Sequence, residues 1–407
     1  MNYFFLSRAG CTLLGLIVLG CVNNVYAERS QSGSLQELLI LSLKNHPQLE
    51  ASRANIRAAE ARLVRAGLLP NPNGTIELEN FAGSGNNKSF SNSEITVAFS
   101  QLIELGNKRK KRSNVADAEV EIASSNYLRT RVLILRDVSI AFIDLLAAQY
   151  QLQTDTQIHK SATTLYHSVS ANVEAGKAPP VEEVKARVEL SRARLAELQT
   201  KNAIVSLRDQ LSWAMGHQAL PVEELRADFF SVTRPQELGE IYATLTRSPD
   251  IVRQKARIAQ RQHAVTLAKA NRIPDLSVSA GIRRFEASDD TAAVASLSIP
   301  LFIFDNKKTF SVEAEANLTE ELASMRALEF GLKSEIAKSQ QIVSANYEEF
   351  LVMQNDVVPS AELALERIAE AYRLGKLSLL DLIDSQRTFF EAKRQLVQSA
   401  GQYHTAS

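Results

Sequence analysis

The chain has 407 residues, with 46 Lys and Arg against 46 Asp and Glu and a hydrophobic content of 45%. Balanced charge gives no electrostatic ground for binding nucleic acid, and the apolar content suffices to build a core. Gly and Pro are scarce, at 16 and 11 residues, which suits long uninterrupted helices.

Residues 1–27 read as an export signal: Arg8, the apolar run "CTLLGLIVLGCV", then the small-residue site Val25-Tyr26-Ala27. The run is too short to span a bilayer comfortably. Both cysteines, Cys11 and Cys21, fall inside it, so cleavage after Ala27 leaves a mature chain without thiols. "VLGC" at 18–21 also resembles a lipoprotein box, the alternative in which Cys21 carries lipid. Cleavage after Ala27 is favoured by reach. The segment from Cys21 to Ser34 extends to at most ~45 Å, against about 54 Å of helix between Ser34 and the first strand. No later stretch has 18 consecutive apolar residues, so any membrane crossing is made by strands.

Residues 34–69 read as one helix, with Ser34 as N-cap and Glu37 three residues on. Alternating sequence follows, predicting strands at about 75–82 and 93–102 around the polar loop "AGSGNNKSFSN". From about Lys108 to Val173 there is neither Gly nor Pro. A helix of that length spans about 100 Å, far beyond the three or four turns usual in globular proteins. It ends at Gly176, and a helix returns over 180–216.

The same plan then recurs. "NHPQLEASRANIRAAEARLVRAGLLP" is matched by "RSPDIVRQKARIAQRQHAVTLAKANRIP", strands are predicted at about 275–285 and 292–302, and a second long helix runs from Lys307 to Leu374. Pro359 predicts a kink or break in it. Gly375 ends it, and 378–403 returns. The chain thus divides into a repeat at 28–230 and another at 231–407. Four strands of about ten residues cannot close a membrane barrel, and an open edge is excluded from lipid. Copies must therefore associate. Two make eight strands, three make twelve, and only the larger ring leaves an aqueous lumen.

The whole plan, with "LPNPNGTIELENF", "SQLIELGNKRKKR" and "LGKLSLLDLIDSQRTFFEAKRQL", resembles the TolC-like outer membrane efflux proteins of Gram-negative bacteria. The first two of these stretches are most similar to the heavy-metal branch, which serves cobalt-zinc-cadmium and silver-copper pumps. The resemblance implies a mostly helical homotrimer: a twelve-stranded β-barrel in the outer membrane, continued by an α-helical tunnel across the periplasm. It also implies a periplasmic adaptor and an inner-membrane RND pump as partners, and no cofactor. In the family, two aspartates on the returning helix ring the lumen at the constriction; Asp381 and Asp384 fall there. A tyrosine before the turn latches the closed state and is matched by Tyr372. The arginine of that latch falls at Leu377, a departure, with Lys376 as the nearest cation. Adaptor hairpins dock at the tips, here Gly176 and Lys177 in one turn and Gly375, Lys376, Leu377 and Ser378 in the other.

From the residues alone, Asp381 and Asp384 are i and i+3 and share a helix face. They serve equally well as anions favouring a helix N-terminus. Three copies would crowd six carboxylates, which predicts raised carboxyl pKa values. His46, His159, His167, His217, His263 and His404 show no metal-ligand spacing and read as surface or interface residues. "NKRKKR" at 107–112 reads as a solvated helix face, or as a patch attracted to anionic lipid headgroups of the outer membrane. Trp213 and Met215 read as packing at a helix end. No nucleophile–base pair or phosphate loop points to an enzyme. General drug efflux and type I secretion are alternative roles for such a channel. A structural periplasmic coiled-coil or adaptor protein is an alternative of another class, opposed by the hairpins.

Overall fold

The computed structural model describes residues 33–216, 219 and 224–407. Cys11, Cys21, Ala27 and His217 lie outside the described residues.

Each half runs short helix, helix, β-hairpin, long helix, tight turn, returning helix. In the first half these are α1 (Leu35–Asn45), α2 (Pro47–Ala66), β1 (Asn73–Glu79), β2 (Glu94–Ile103), α3 (Lys108–Glu174) and α4 (Pro180–Ala214). In the second they are α5 (Leu238–Thr244), α6 (Pro249–Ala270), β3 (Leu276–Phe285), β4 (Asp290–Ser298), α7 (Lys308–Val352), α8 (Val358–Arg373) and α9 (Leu379–Ala406). No described helix is long and apolar enough to cross a membrane.

The single helix expected over 34–69 is two. The residue before a proline is disfavoured in the α region. His46 accordingly sits at φ −67°, ψ 125°, and its side chain accepts from the Gln48 N–H to cap α2. Pro249 opens α6 at the matching point of the second half.

The long helices form as expected. α3 has 67 residues, about 100 Å. Pro359 does not break its counterpart, whose helical backbone runs on from α7 to α8. A proline ring clashes with the carbonyl one turn before it, and a π-helical turn at Met353–Val357 absorbs the clash between α7 and α8.

The main core lies midway along the shaft, where six helices, α1, α2, α3, α4, α7 and α9, and the segment after α4 converge. Leu38, Val138, Phe142, Leu145, Leu211, Met215, Phe229, Phe350 and Ala400 are all buried there. Met215 packs as expected; Trp213 does not, being 73% exposed. A smaller cluster of Leu165, Val169, Ala186, Leu379, Leu382 and Ile383 ties the two tips together.

The strands form one antiparallel sheet, ordered β1-β2-β3-β4, so the hairpins of the two halves join through β2 and β3. β1 begins and ends earlier than predicted. β4 stops at Ser298 rather than 302; the register sets Leu276, the first residue of β3, opposite Ile299 and leaves nothing opposite Pro300 and beyond.

Candidate channel surfaces

The strand register sorts the sheet into two faces. One row reads Ile76, Val97, Ile282, Ala293; the next reads Glu77, Thr96, Arg283, Ala292. Ile76, Phe99, Ile282 and Leu297 are 58–77% exposed on the apolar face, as a lipid-facing wall requires. On the polar face Arg283 pairs with Glu94 at 2.9 Å and Glu79 at 3.2 Å and donates to the Thr96 hydroxyl. Neither the Arg283 network nor its facing was read from the sequence. The strand parity of Glu77, Glu79 and Arg283 was the available signal.

At the foot of the sheet, Lys108 is buried, donating to the Ile273 carbonyl at 2.6 Å and pairing with Asp275 at 2.7 Å. Arg112 forks onto Glu104 and donates to the carbonyls of Ala66 and Leu68. Its pKa is raised, chiefly by the hydrogen bond to Glu104. The 107–112 run is therefore neither wholly a solvated face nor wholly a lipid patch. Two of its cations bolt the strands to the helices, while Arg109 and Lys110 remain exposed.

At the other end the two tips are built alike. Gly176 N–H donates to the Val173 carbonyl and Lys177 N–H to Asn172; Gly375 and Lys376 repeat this with Tyr372 and Ala371. This double closure needs a left-handed residue, and both glycines have φ +69°. Nothing lies within 4 Å of where a Cβ would stand on either one. Gly176, Lys177, Gly375, Lys376, Leu377 and Ser378 are all exposed.

Asp381 and Asp384 are exposed on the side of α9 opposite the buried Leu379, Leu382 and Ile383. Their roles differ within one chain. Asp381 closes a capping box with Ser378, accepting from its N–H at 2.9 Å and its hydroxyl at 2.7 Å. Within one chain those bonds hold the Asp381 carboxyl below the usual range. The cap is complete at neutral pH and is lost as pH falls through that lowered value. The Asp384 carboxylate accepts no hydrogen bond among the described residues. Tyr372 packs on the tip cluster, and burial first, then the nearby Glu182, raises its pKa. Lys376 is exposed and forms no ion pair among the described residues. The tip bonds that do form went unforeseen: Tyr166 donates to Glu183 at 3.2 Å, and Arg187 pairs with the same carboxylate.

Higher on the shaft, Asp155 of α3 is 2% exposed. It accepts from Arg394 of α9 at 2.7 Å, Thr200 of α4 at 2.7 Å and Gln151 at 3.1 Å. His159 contacts Glu197 at 2.5 Å between α3 and α4, and the Lys201 ammonium sits on the same carboxylate. No group of three potential metal ligands occurs among the described residues.

An antiparallel sheet with a lipid-compatible face, carried on a shaft of about 100 Å, is the architecture of a channel that crosses a periplasm. The family model for outer membrane efflux proteins matches residues 38–217 and 241–407. The chain belongs to the outer membrane efflux protein family. It is an outer membrane efflux channel of TolC-like fold. It is 27% identical to the cobalt-zinc-cadmium resistance protein CzcC of Cupriavidus metallidurans over 92% of this chain and 88% of that one. The nickel and cobalt resistance protein CnrC of the same organism is 25% identical over 74% of this chain and 72% of its own. The solved outer-membrane channel OprN superposes with a TM-score of 0.77 at 18% identity, covering 91% of this chain and 87% of that one.

Proposed function

We propose that three copies close into a twelve-stranded barrel and a continuous helical tunnel, forming the outer membrane exit of a tripartite exporter. A periplasmic adaptor and an inner-membrane RND pump complete it, and its cargo is heavy-metal cations. The observation that carries the ring is the sheet itself. β1 and β4 are both unpaired edges, and lipid tolerates neither. β1 and β4 are antiparallel neighbours in a head-to-tail ring, so closure needs no rearrangement of strand direction. The cargo rests on the metal-resistance roles that CzcC and CnrC carry in their names, since the described residues build no metal site of their own. Metal choice then lies in the pump and adaptor. Disrupting the gene and profiling growth on zinc, cadmium, cobalt, nickel, copper, silver and organic drugs tests this. Hypersensitivity to divalent metals is expected. Hypersensitivity to drugs alone would assign the channel to general efflux instead.

The tips serve as the adaptor surface in this reading. They are exposed, identically built and flanked by exposed Val181, Val184, Leu374 and Leu380. A Gly176→Trp, Gly375→Trp double variant is expected to lose efflux while the trimer still reaches the outer membrane. The indole meets open space within its own chain, but φ +69° strains any side chain there. A Gly176→Ala, Gly375→Ala double variant carries the same strain, so loss of efflux in the Trp variant beyond that of the Ala variant reports the partner. Unimpaired metal efflux in that variant would remove the tips as the docking surface.

A further inference from the structure

Resting on the ring reading above, we propose that residues 299–302 become the end of β4 only on assembly, by pairing with β1 of the next copy. Within one chain Asn73, Ser100, Ser279 and Ser296 lie on a single row across the sheet. In a closed barrel the strands tilt by about 35–45°. Four strands about 4.8 Å apart occupy about 19 Å, so equivalent points on neighbouring copies are displaced along the strand by about 13–19 Å. At about 3.3 Å per residue that is about four to six residues. The lipid-facing sides must match, which leaves the even shifts.

The direction of the shift follows from what β1 can find. A shift one way sets Asn73 of the next copy against Pro300 or Phe302, and all seven residues of β1 face the stretch from Val294 to Phe302. The opposite shift sets Asn73 against Asp290 or Ala292 and leaves most of β1 facing the turn between β3 and β4, in lipid and without partners. The first is therefore the register.

The chemistry of 299–302 fits this use. Leu297, Ile299 and Leu301 share one parity and are 64%, 49% and 77% exposed, continuing the apolar face toward the periplasm. Pro300 lies past the end of β3, so its missing N–H costs no ladder bond within the chain. Ile299 is unpaired although Leu276 lies opposite it, Pro300 to Phe302 have no strand residue opposite them in their own copy, and the next copy supplies one.

Cysteine pairs in membranes, oxidised and compared with each single variant, test the register. Ile299→Cys combined with Gly74→Cys or with Ile76→Cys is expected to link neighbouring chains. A Gly74 side chain meets only ordinary contact, 3.5 Å from the Phe99 ring. Ala295→Cys with Gly74→Cys and Ala293→Cys with Ile76→Cys, the unshifted pairs, are expected not to link. Linking of the unshifted pairs alone, or of none in a protein that sizes as a trimer in detergent, overturns the extension and leaves the ring intact. A protein that links nowhere and sizes as a monomer after extraction from the outer membrane removes the ring itself.

Discussion

Replacing Arg394 with Met will destabilise the shaft by about 3 kcal/mol, the lower end of what breaking a buried pair from one side costs. Asp155 is almost wholly buried, and Arg394 supplies its only cationic donor among the described residues. Thr200 and Gln151 remain, but both are neutral. The loss is therefore of charge compensation, with the desolvation cost still standing. The site also joins three helices, α3, α4 and α9, opposite the π-helical turn of Met353–Val357, which packs on Phe389 and Ala392. Loss of Arg394 should thus be felt along the four-helix cross-section. The check is the thermal midpoint of the helical circular dichroism signal in detergent, for Arg394→Met, Asp155→Leu and the double variant. The double variant should melt above Arg394→Met, because replacing both partners removes the buried charge. Coincident melting of Arg394→Met and the parent would show that Asp155 does not depend on the pair.

Neutralising Asp384 will weaken divalent block of the channel by about tenfold in half-blocking concentration, and neutralising Asp381 will do less. Rings of carboxylates bind cations in pores, and three copies supply three of each residue. The difference between the two comes from the cap. Two hydrogen bonds from Ser378 already occupy an oxygen of Asp381, whereas Asp384 is exposed and unengaged by the described residues. Asp381→Asn should also fray the start of α9, since the amide is a poorer partner for the Ser378 N–H. Single-channel recording in a planar bilayer, with zinc or cobalt on the periplasmic side, separates the two variants. Wild-type block in Asp384→Asn would mean that the residue does not line the pore and serves only the helix start.

Where the outcome was local, the residues announced it. Gly176 and Gly375 close the tips because the double carbonyl closure needs a left-handed residue, and glycine adopts it at no steric cost. Ser34 caps α1, and the Gly- and Pro-free stretch from Lys108 runs as one helix to Glu174. The break at His46 was equally legible, since the residue before Pro47 is driven out of the α region.

What sequence could not decide were the matters settled by groups far apart in the chain. Asp155 meets Arg394 across 239 positions, and Lys108 meets Asp275 across 167. Lys108 in "NKRKKR" looks solvated until the segment between α6 and β3 brings the Ile273 carbonyl and Asp275 to it. Pro359 was visible as a helix breaker, but the helix continues through a π turn whose Met353 packs with Phe389 and Ala392. Alternation alone marks residues 292–302 as strand-like. Pairing partners decide where a strand ends: the last pair is Ser277 with Ser298, and β3 has no residue opposite Pro300 and beyond. By itself, then, the sequence determined the helices, the turns and the duplicated plan, because each depends on backbone preferences within a few residues. Tertiary structure decided which charges are buried, which residues stand opposite one another across the sheet and how far β4 pairs within the chain, because each depends on what another part of the chain places opposite.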